Sequence, residues 1–364
     1  MNLSGSGSLK KQRDSAIYNL ILVAITGLLF HSCAPVTELP IEILQPARVT
    51  FPDNAEKIQF INRSYYLRND TVLGYKKTIT EEEFNILDTA LNNHFFKGLI
   101  EGMNSSPLFD LGYPEVLNER RYDTSNFLAP LSFGQLNRYR ENNGCDLLIS
   151  LDYYHVQDTT ELKLDYETFW YEATEQVITL TAWRVYDVNA LSLLDEYIQM
   201  DTVYWFVTQD NLDDLARELP PLLHTFREAA YRNGSQYSLR ISPGWYDTER
   251  YIYHSGSKEL RKAGKKALAG NWEEAAVEWE RLTDTIYKPK IRAKAYTNLA
   301  VNAEISDDIS RALEYANRSY SLKSENYILE YINILLLREL NQEMLLKQLP
   351  PESDPIRDAL KGIR

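Results

Sequence analysis

A long stretch of two-residue alternation in the middle of the chain constrains the fold most strongly. Apolar side chains recur at every second position across 145–156, which places them on one face of an extended strand. Two further runs, 167–188 and 191–207, are rich in β-branched and aromatic residues and are joined by turn-forming residues at 187–190. These runs predict three strands, of which the last two form a long antiparallel hairpin.

Segments with helical spacing surround these strands. The order of predicted elements is β-α-β-α-β-β-β-α, which predicts an α+β domain over 56–241 with a mixed sheet and helices mainly on one face. The last helix is expected to break or kink at Pro220-Pro221, because proline removes a backbone donor and clashes with the preceding turn. The remaining elements are predicted strands near 57–67 and 112–117 and predicted helices near 78–103, 132–142 and 211–232.

Three stretches of this domain resemble small periplasmic α/β lipoprotein domains. They are Asn104-Ser105-Ser106-Pro107-Leu108-Phe109 after a helix, Cys145-Asp146-Leu147-Leu148-Ile149-Ser150, and Trp183-Arg184-Val185-Tyr186-Asp187-Val188 before the next strand. Similar patterns occur in the TolB amino-terminal domain, the curli secretion-channel lipoprotein and the outer-membrane activators of cell-wall synthases. The resemblance implies a protein that binds partners and is not an enzyme.

The pattern changes after Ser242-Pro243-Gly244. The content of glycine and β-branched residues falls, and helical spacing dominates from residue 257 onward. We therefore predict a linker at 242–256, an all-α domain at 257–349 and a short tail at 350–364.

Small residues in the all-α domain resemble the packing positions of tetratricopeptide repeats, in which two antiparallel helices occupy about 34 residues. The better match is 295–320, where Ala300 and Ala312 would let two helices approach closely. An earlier match covers 268–282, and 324–340 is expected to form a capping helix. The resemblance assigns helix packing to Trp272, Ala275, Trp279, Tyr296, Leu299, Ala300, Ala312 and Ala316.

The first 33 residues resemble the signal of a bacterial lipoprotein. Three basic residues precede an apolar run of 11 residues from Leu20 to Phe30, shorter than the ~20 residues that span a bilayer. Ser32 and Cys33 follow. The resemblance implies that 1–32 is removed and that the thiol of Cys33 carries a diacylglycerol. A plain secretory signal or a short membrane anchor is the alternative.

The residues after Cys33 predict where the anchor lies. Ala34 stands where an Asp would indicate retention in the inner membrane, and no acidic run indicates export to the surface. We expect the outer membrane, with the protein facing the periplasm. Four prolines fall within 33–55, which predicts an extended tether. As a whole, the chain resembles bacterial lipoproteins that join an α/β domain to a repeat tail.

Charge and cysteine content exclude some functions. The chain has a formal net charge of −13, and removing 1–32, which carries +2, leaves −15. So acidic a chain is not expected to bind nucleic acid, because that binding depends on Lys and Arg neutralising phosphates. After Cys33 the sequence holds one cysteine, Cys145, so no intramolecular disulfide is expected; we expect Cys145 to be a small buried residue.

Two groups of polar residues are candidates for partner binding. On the repeat match, the inner face of a first helix would present Lys294, Thr297, Asn298 and Val301, and an Asn there can hydrogen-bond the backbone of an extended peptide. The alternative is an Asn that faces solvent or caps a helix. A basic cluster at 258–266 could receive an acidic peptide or a carboxylate, but a solvated helix face is the favoured interpretation. The predicted partner-binding residues are Lys294, Asn298, Lys262 and Lys265.

No catalytic motif accompanies these candidates. None of the five His is spaced for a metal, and the sequence holds no phosphate loop, dinucleotide glycines or Gly-x-Ser-x-Gly. We predict a non-catalytic envelope lipoprotein without cofactor or metal that binds an envelope protein or peptide; the oligomeric state stays open. One alternative is a glycan- or cell-wall-binding module, suggested by Trp170, Trp205 and Trp245, and another is an enzyme of unrecognised type.

Overall fold

The computed structural model is of the α+β class, with seven strands and nine helices among the residues that it describes. The predicted lipid-acceptor Cys33 lies outside those residues, and so do the predicted signal and tail. The described residues are 36–52, 55–64, 81–119 and 128–349.

The chain divides into two compact units. The α/β unit comprises 42–247 and the residues from 338 onward, and the helical unit comprises the residues up to 41 and 248–337. The predicted boundaries at 56–241 and 257–349 therefore differ from those observed, because the chain passes from one unit to the other three times.

A five-stranded mixed sheet forms the centre of the α/β unit. Its strands are β2 Ile58–Asn62, β3 Val116–Asn118, β4 Leu147–Leu164, β5 Tyr171–Asp187 and β6 Ser192–Gln209. Their order is β3-β2-β4-β5-β6. Strand β2 runs parallel to β3 and β4, whereas β4, β5 and β6 are antiparallel. The predicted long hairpin is confirmed, with Tyr171 opposite Gln209 at one end and Asp187 opposite Ser192 at the other.

Helices lie mainly on one face of this sheet, as predicted, with one shorter helix on the other face. The two long helices, α1 Glu81–Asn104 and α4 Leu222–Ile241, contribute Phe95, Leu99 and Tyr237 to a core with Trp183 on one face. On the other face, α2 Phe133–Asn143 contributes Leu136 and Tyr139 to a smaller core. Helix α3 Leu212–Glu218 ends before Pro220-Pro221, so the predicted break is confirmed.

Helices α1 and α4 cross at glycine residues. A Cβ atom at Gly98 would lie 1.9 Å from the carbonyl oxygen of Tyr231, and one at Gly234 would lie 1.9 Å from the carbonyl oxygen of Phe95. Both positions are blocked by backbone, which cannot rotate away. The two backbones therefore approach closely only because neither residue has a side chain.

The helical unit is built around one central helix. Helix α7 Pro289–Ile305 has ten buried residues among its 17, on every side, as expected for a helix surrounded by other elements. The other helices are α5 Lys258–Leu268, α6 Trp272–Arg281, α8 Ile309–Leu322 and α9 Asn326–Gln348. No helix in the described part of the chain has the length and apolar character needed to cross a membrane.

Two predicted irregular segments contain strands. The segment 33–55 was expected to be an extended tether and 242–256 a linker, but β1 Val36–Gln45 and β7 Gly244–Tyr253 pair in a two-stranded sheet. Pro40 within β1 obscured the strand in the sequence, because proline cannot donate a ladder hydrogen bond and usually argues against a strand. It is tolerated in β1 where such a hydrogen bond is not needed. The linker and tether interpretations are therefore wrong over these strands.

Candidate functional site

The predicted peptide-binding asparagine of α7 holds a backbone of its own chain. The side-chain oxygen of Asn298 accepts a hydrogen bond from the N–H of Tyr253 at 2.7 Å, and its side-chain nitrogen donates to the carbonyl oxygen of Tyr253 at 2.7 Å. Asn298 is fully buried. The side chain makes the contacts expected for recognition of an extended peptide, but the peptide is the end of β7.

Lys294 is also engaged within the chain. Its ammonium donates to the carbonyl oxygen of Ser255 at 2.8 Å and to the Ser255 hydroxyl at 3.2 Å. It also lies 5.0 Å from the centre of the Tyr253 ring. Partial burial lowers the pKa of Lys294, and the nearby positive charges of Lys290 and Lys323 lower it further. β7 and the residues after it thus already occupy the polar groups of Asn298 and Lys294, and the assignment of these residues to an external partner stays a prediction.

A buried ion pair fastens the middle of β7 to α7. The guanidinium of Arg250 donates from Nε and Nη2 to the two carboxylate oxygens of Glu304, each at 2.8 Å. The Tyr331 hydroxyl donates to the same carboxylate at 2.7 Å. Burial raises the pKa of Tyr331 well above its ordinary value, and the charge of Glu304 raises it further. Sequence analysis missed this cluster, although a lone Glu in the alanine-rich part of α7 is the signal that could have found it.

The other two residues predicted on the inner face lie elsewhere. The Thr297 hydroxyl donates to the carbonyl oxygen of Ala293 at 3.1 Å and is 2.9 Å from the Ser319 hydroxyl, so Thr297 faces α8. Val301 is fully buried in the apolar core of the unit. These assignments are wrong because α7 is enclosed on all sides and has no open inner face.

The basic cluster forms surface ion pairs with α6. Lys262 lies 3.3 Å from Glu278, and Lys266 lies 2.9 Å from Glu274. These lysines are the main reason that the pKa of Glu278 is lowered, Lys262 foremost through its hydrogen bond. Lys265 is exposed. For Lys262, the structure favours the solvated helix face over the partner site, because its charge is already paired with a neighbouring helix.

The residues assigned to helix packing lie in or against the helical core. Ala275, Trp279, Ala300, Ala312 and Ala316 are fully buried. Tyr296 and Leu299 are buried in the same cluster, and Trp272 is half-buried against it. The small side chains thus lie where helices meet.

A second surface was not identified from the sequence. We call it the β6 outer surface: Ile198, Met200, Thr202, Tyr204 and Phe206, which share the sheet face opposite α1 and α4. The exposed fractions are 54% for Ile198, 72% for Met200, 50% for Tyr204 and 73% for Phe206. The rings of Tyr204 and Phe206 stack with centroids 6.1 Å apart. A clue was present, since apolar residues at both even and odd positions of 197–206 predict a strand that is apolar on both faces.

The tryptophans that suggested a glycan site do not form one surface. Trp170 is 47% exposed at the β4–β5 turn, near exposed Tyr166 and Phe169. In contrast, Trp205 and Trp245 are half-buried. Of these three tryptophans, only Trp170 is exposed.

Two arginines surround a buried carboxylate of the sheet. Asp152 is buried and pairs with Arg63 at 2.8 Å and with Arg184. Both arginines also donate to carbonyl oxygens, Arg63 to Ala129 and Arg184 to Leu128. All of these charges are therefore satisfied internally. Within the described ranges, no group of His, Cys, Asp and Glu is arranged to hold a metal ion.

Cys145 is buried, as expected from its sequence context. Burial raises the pKa of its thiol, so the reactive thiolate is disfavoured. The position is that of a small core residue.

Comparison with known families gives two matches. Residues 55–253 match the domain of unknown function DUF8603, and the chain belongs to this family. Residues 261–337 match the domain of unknown function DUF6340. No curated protein matches the chain.

Among solved structures, the PelC dodecamer from Paraburkholderia phytofirmans is 10% identical with a TM-score of 0.23, covering 55% of this chain and 96% of that chain. The hypothetical protein CT253 from Chlamydia trachomatis is 13% identical with a TM-score of 0.19, covering 50% and 96%. At these TM-scores, neither likeness bears on the fold or function of this chain.

Proposed function

We propose that this protein is a non-catalytic interaction or assembly factor of the cell envelope, anchored by lipid on Cys33 to the outer membrane and facing the periplasm. The signal-like pattern of the first 33 residues supports the anchor. Two or more acyl chains make such an anchor stable, because each buried methylene contributes about 0.8 kcal/mol. The internal pairing of Asp152, Arg250 and Glu304 supports a structural use of the buried charges.

The observation that carries the proposal is the β6 outer surface. Its four large apolar side chains are each at least half exposed, on a sheet whose other face packs against two long helices. Contiguous exposed apolar side chains on a rigid element are typical of protein interaction sites. The polar face of α7 does not compete for this role, because β7 occupies it.

We further propose that α5–α6 and α7–α8 are two tetratricopeptide-like helix pairs, with α9 as a cap. The burial of Ala275 and Ala312, one in the second helix of each pair, supports this assignment. About three repeats are usually needed for a stable array. The contacts of β7 with α7 supply part of the stabilisation that a third repeat would provide.

The anchor is tested by a Cys33→Ser substitution. We expect the wild-type protein to incorporate a labelled fatty acid and to sediment with the outer membrane. The substituted protein should lose the label and the membrane association. Retention of the label, or outer-membrane sedimentation of the Cys33→Ser protein, would contradict the proposal.

The interaction surface is tested by crosslinking in cells, with the tagged full chain as bait. A truncation after Ser242 is not suitable as a test of the α/β unit. It removes the start of β7 and the end of α9, both of which belong to that unit. We would instead compare the wild type with Met200→Lys, using Tyr113→Lys as a control because Tyr113 is 88% exposed and lies elsewhere. We expect one envelope protein to be captured by the wild type and by Tyr113→Lys but not by Met200→Lys. Equal capture by all three would exclude this surface.

A glycan-binding function is the second candidate, supported by the exposed rings of Tyr166, Phe169 and Trp170. Aromatic rings that project together into solvent can stack on sugars. If this candidate is right, isolated cell wall should retain the wild-type protein, and Trp170→Ala should weaken retention at least fivefold. Equal retention of both proteins would reject it.

A further inference from the structure

Strand β6 is an edge strand with few of the usual protections. In the part of the chain that the structure describes, β5 pairs with one side of β6 and no strand pairs with the other. Natural edge strands are protected by Lys, Pro, bulges, short length, inward-pointing charges or a covering helix or loop. The segment 197–208 has no Lys or Pro, and the one register irregularity of the β5–β6 pair lies outside it, at Val185/Tyr186. Its one carboxylate, Asp201, pairs with Arg232 at 3.1 Å and accepts a hydrogen bond from the backbone N–H of Thr202 at 2.9 Å.

We propose that β6 pairs with β6 of a second copy of this chain, antiparallel and in register about a twofold axis at Thr202. The axis would be perpendicular to the sheet, so every side chain would stay on its own face. A residue at an even position must then lie opposite another even position. The twofold axis must therefore pass through a residue position and cannot lie between two residues.

The side chains select Thr202 among the possible axis positions. With the axis there, Ile198 lies opposite Phe206 and Met200 lies opposite Tyr204, each twice by symmetry. Aliphatic–aromatic and sulfur–aromatic pairs of this kind stabilise neighbouring strands. An axis at Asp201 would oppose two carboxylates directly. An axis at Val203 would keep one such pair, Met200 opposite Phe206, but it would place Ile198 opposite Thr208 and Tyr204 opposite Thr202.

The result would be a ten-stranded sheet in which two β6 outer surfaces form one continuous apolar face. This inference deepens the proposed function, because the paired surface would be the one that docks an envelope partner. It does not depend on that partner or on the lipid. A purified protein can therefore test it separately from capture in cells.

Disulfide crosslinking tests the register. In the proposed pair, two Thr202→Cys residues would have Cα atoms about 4.5–5.5 Å apart, within the separation that a disulfide spans. Thr208→Cys is the matched control, because it has the same residue type, strand and face but would lie ~40 Å from its symmetry mate at ~3.3 Å per residue. Wild-type protein, with Cys33 and buried Cys145, sets the background.

We expect mild oxidation of the full chain in detergent to crosslink Thr202→Cys at least tenfold more than Thr208→Cys. Equal crosslinking of the two variants, or none above the wild-type background, would overturn the proposed register.

Light scattering after size-exclusion chromatography tests the association without engineered cysteines. We expect dimers for the wild type and Tyr113→Lys, and monomers for Met200→Lys, because a lysine on an edge strand opposes strand pairing and the symmetric dimer would carry two of them. Circular dichroism of all three proteins verifies that they are folded. A monomeric wild type, or a Met200→Lys protein that remains dimeric, would overturn the proposal. If dimers form but no partner is captured in cells, the pairing stands and the docking proposal fails.

Discussion

The polar face of α7 is occupied by other residues of the chain, whereas the β6 outer surface is exposed. The polar side chains of α7 resemble a binding site, but β7 and the residues after it already occupy them through Asn298, Lys294 and Glu304. The apolar side chains of β6 resemble core residues, but Met200 and Phe206 are exposed. Polar residues in the middle of a packed helix are thus poor indicators of an external ligand, because buried polar groups must find partners inside the protein.

The two regions also differ in what their side chains contribute to stability. Around α7, a substitution leaves a buried polar group without its partner, which costs more free energy than the contact itself contributed. On β6, the exposed side chains lose little on replacement because water already reaches them. Substitutions in the two regions should therefore differ by several kcal/mol in their effect on the free energy of unfolding.

The largest effect is expected from Glu304→Ala. It leaves the guanidinium of Arg250 buried without a counter-charge, so we expect the free energy of unfolding to fall by about 3–5 kcal/mol. Chemical denaturation followed by circular dichroism measures this change. Glu249→Ala is the control, since Glu249 is exposed on the same strand, and it should change stability by less than about 0.5 kcal/mol. Equal effects would mean that β7 is not held by the ion pair.

Ala312→Trp tests the close approach of α7 and α8. The site is fully buried, and a large ring should force the helices apart and lower the free energy of unfolding by about 3 kcal/mol, the upper end of typical overpacking costs. Ala269→Trp, at an exposed alanine of the α5–α6 turn, should be nearly neutral. Unchanged melting of Ala312→Trp would refute the tetratricopeptide-like packing.

Asn298→Ala removes the side chain that holds the end of β7. The N–H and carbonyl of Tyr253 lose their hydrogen bonds, and we expect a loss of about 2 kcal/mol in the free energy of unfolding. Asn298→Asp keeps the acceptor and loses the donor. Thermal melts of the two variants should both fall below the wild type, and a wild-type melting temperature for Asn298→Ala would show that β7 does not depend on this contact.

The smallest effect is expected on β6. Phe206→Ser removes a ring that is 73% exposed, so the stability of the monomer should change by less than about 0.5 kcal/mol. The measurement is denaturation at a concentration at which light scattering shows monomer. A loss comparable to that of Asn298→Ala would mean that Phe206 belongs to a covered surface.

Local patterns predicted the sheet better than they predicted the division of the chain. Strand β4 follows from two-residue alternation, and β5 and β6 follow from runs rich in β-branched and aromatic residues on either side of a turn. The break between α3 and α4 follows from Pro220-Pro221. In contrast, β1 contains Pro40 and pairs with β7, which follows it by about 200 residues in the sequence. Pairing over such a separation leaves no local signal, so both segments looked irregular.

For the candidate site, the sequence indicated the residue that makes the hydrogen bonds but not its distant partner. The helical match identified Asn298 and the kind of hydrogen bonds that it makes, but not the identity of the backbone it holds, because Tyr253 lies 45 positions earlier in the chain. The α1–α4 crossing at Gly98 and Gly234 was likewise missed, since each glycine matters only through the other helix. The kind of contact that a side chain makes can be predicted from its residue type, whereas the distant residue that it contacts cannot.

Hydrogen exchange at single-residue resolution tests the central claim most directly. If β7 closes the face of α7, the amide of Tyr253 should exchange as slowly as the amides of α7. The exposed β4–β5 turn at 165–170 serves as the fast reference. Asn298→Ala should accelerate exchange at Tyr253 at least tenfold. Exchange at Tyr253 as fast as that of the reference turn in the wild type would show that the face of α7 is open, and would contradict this account.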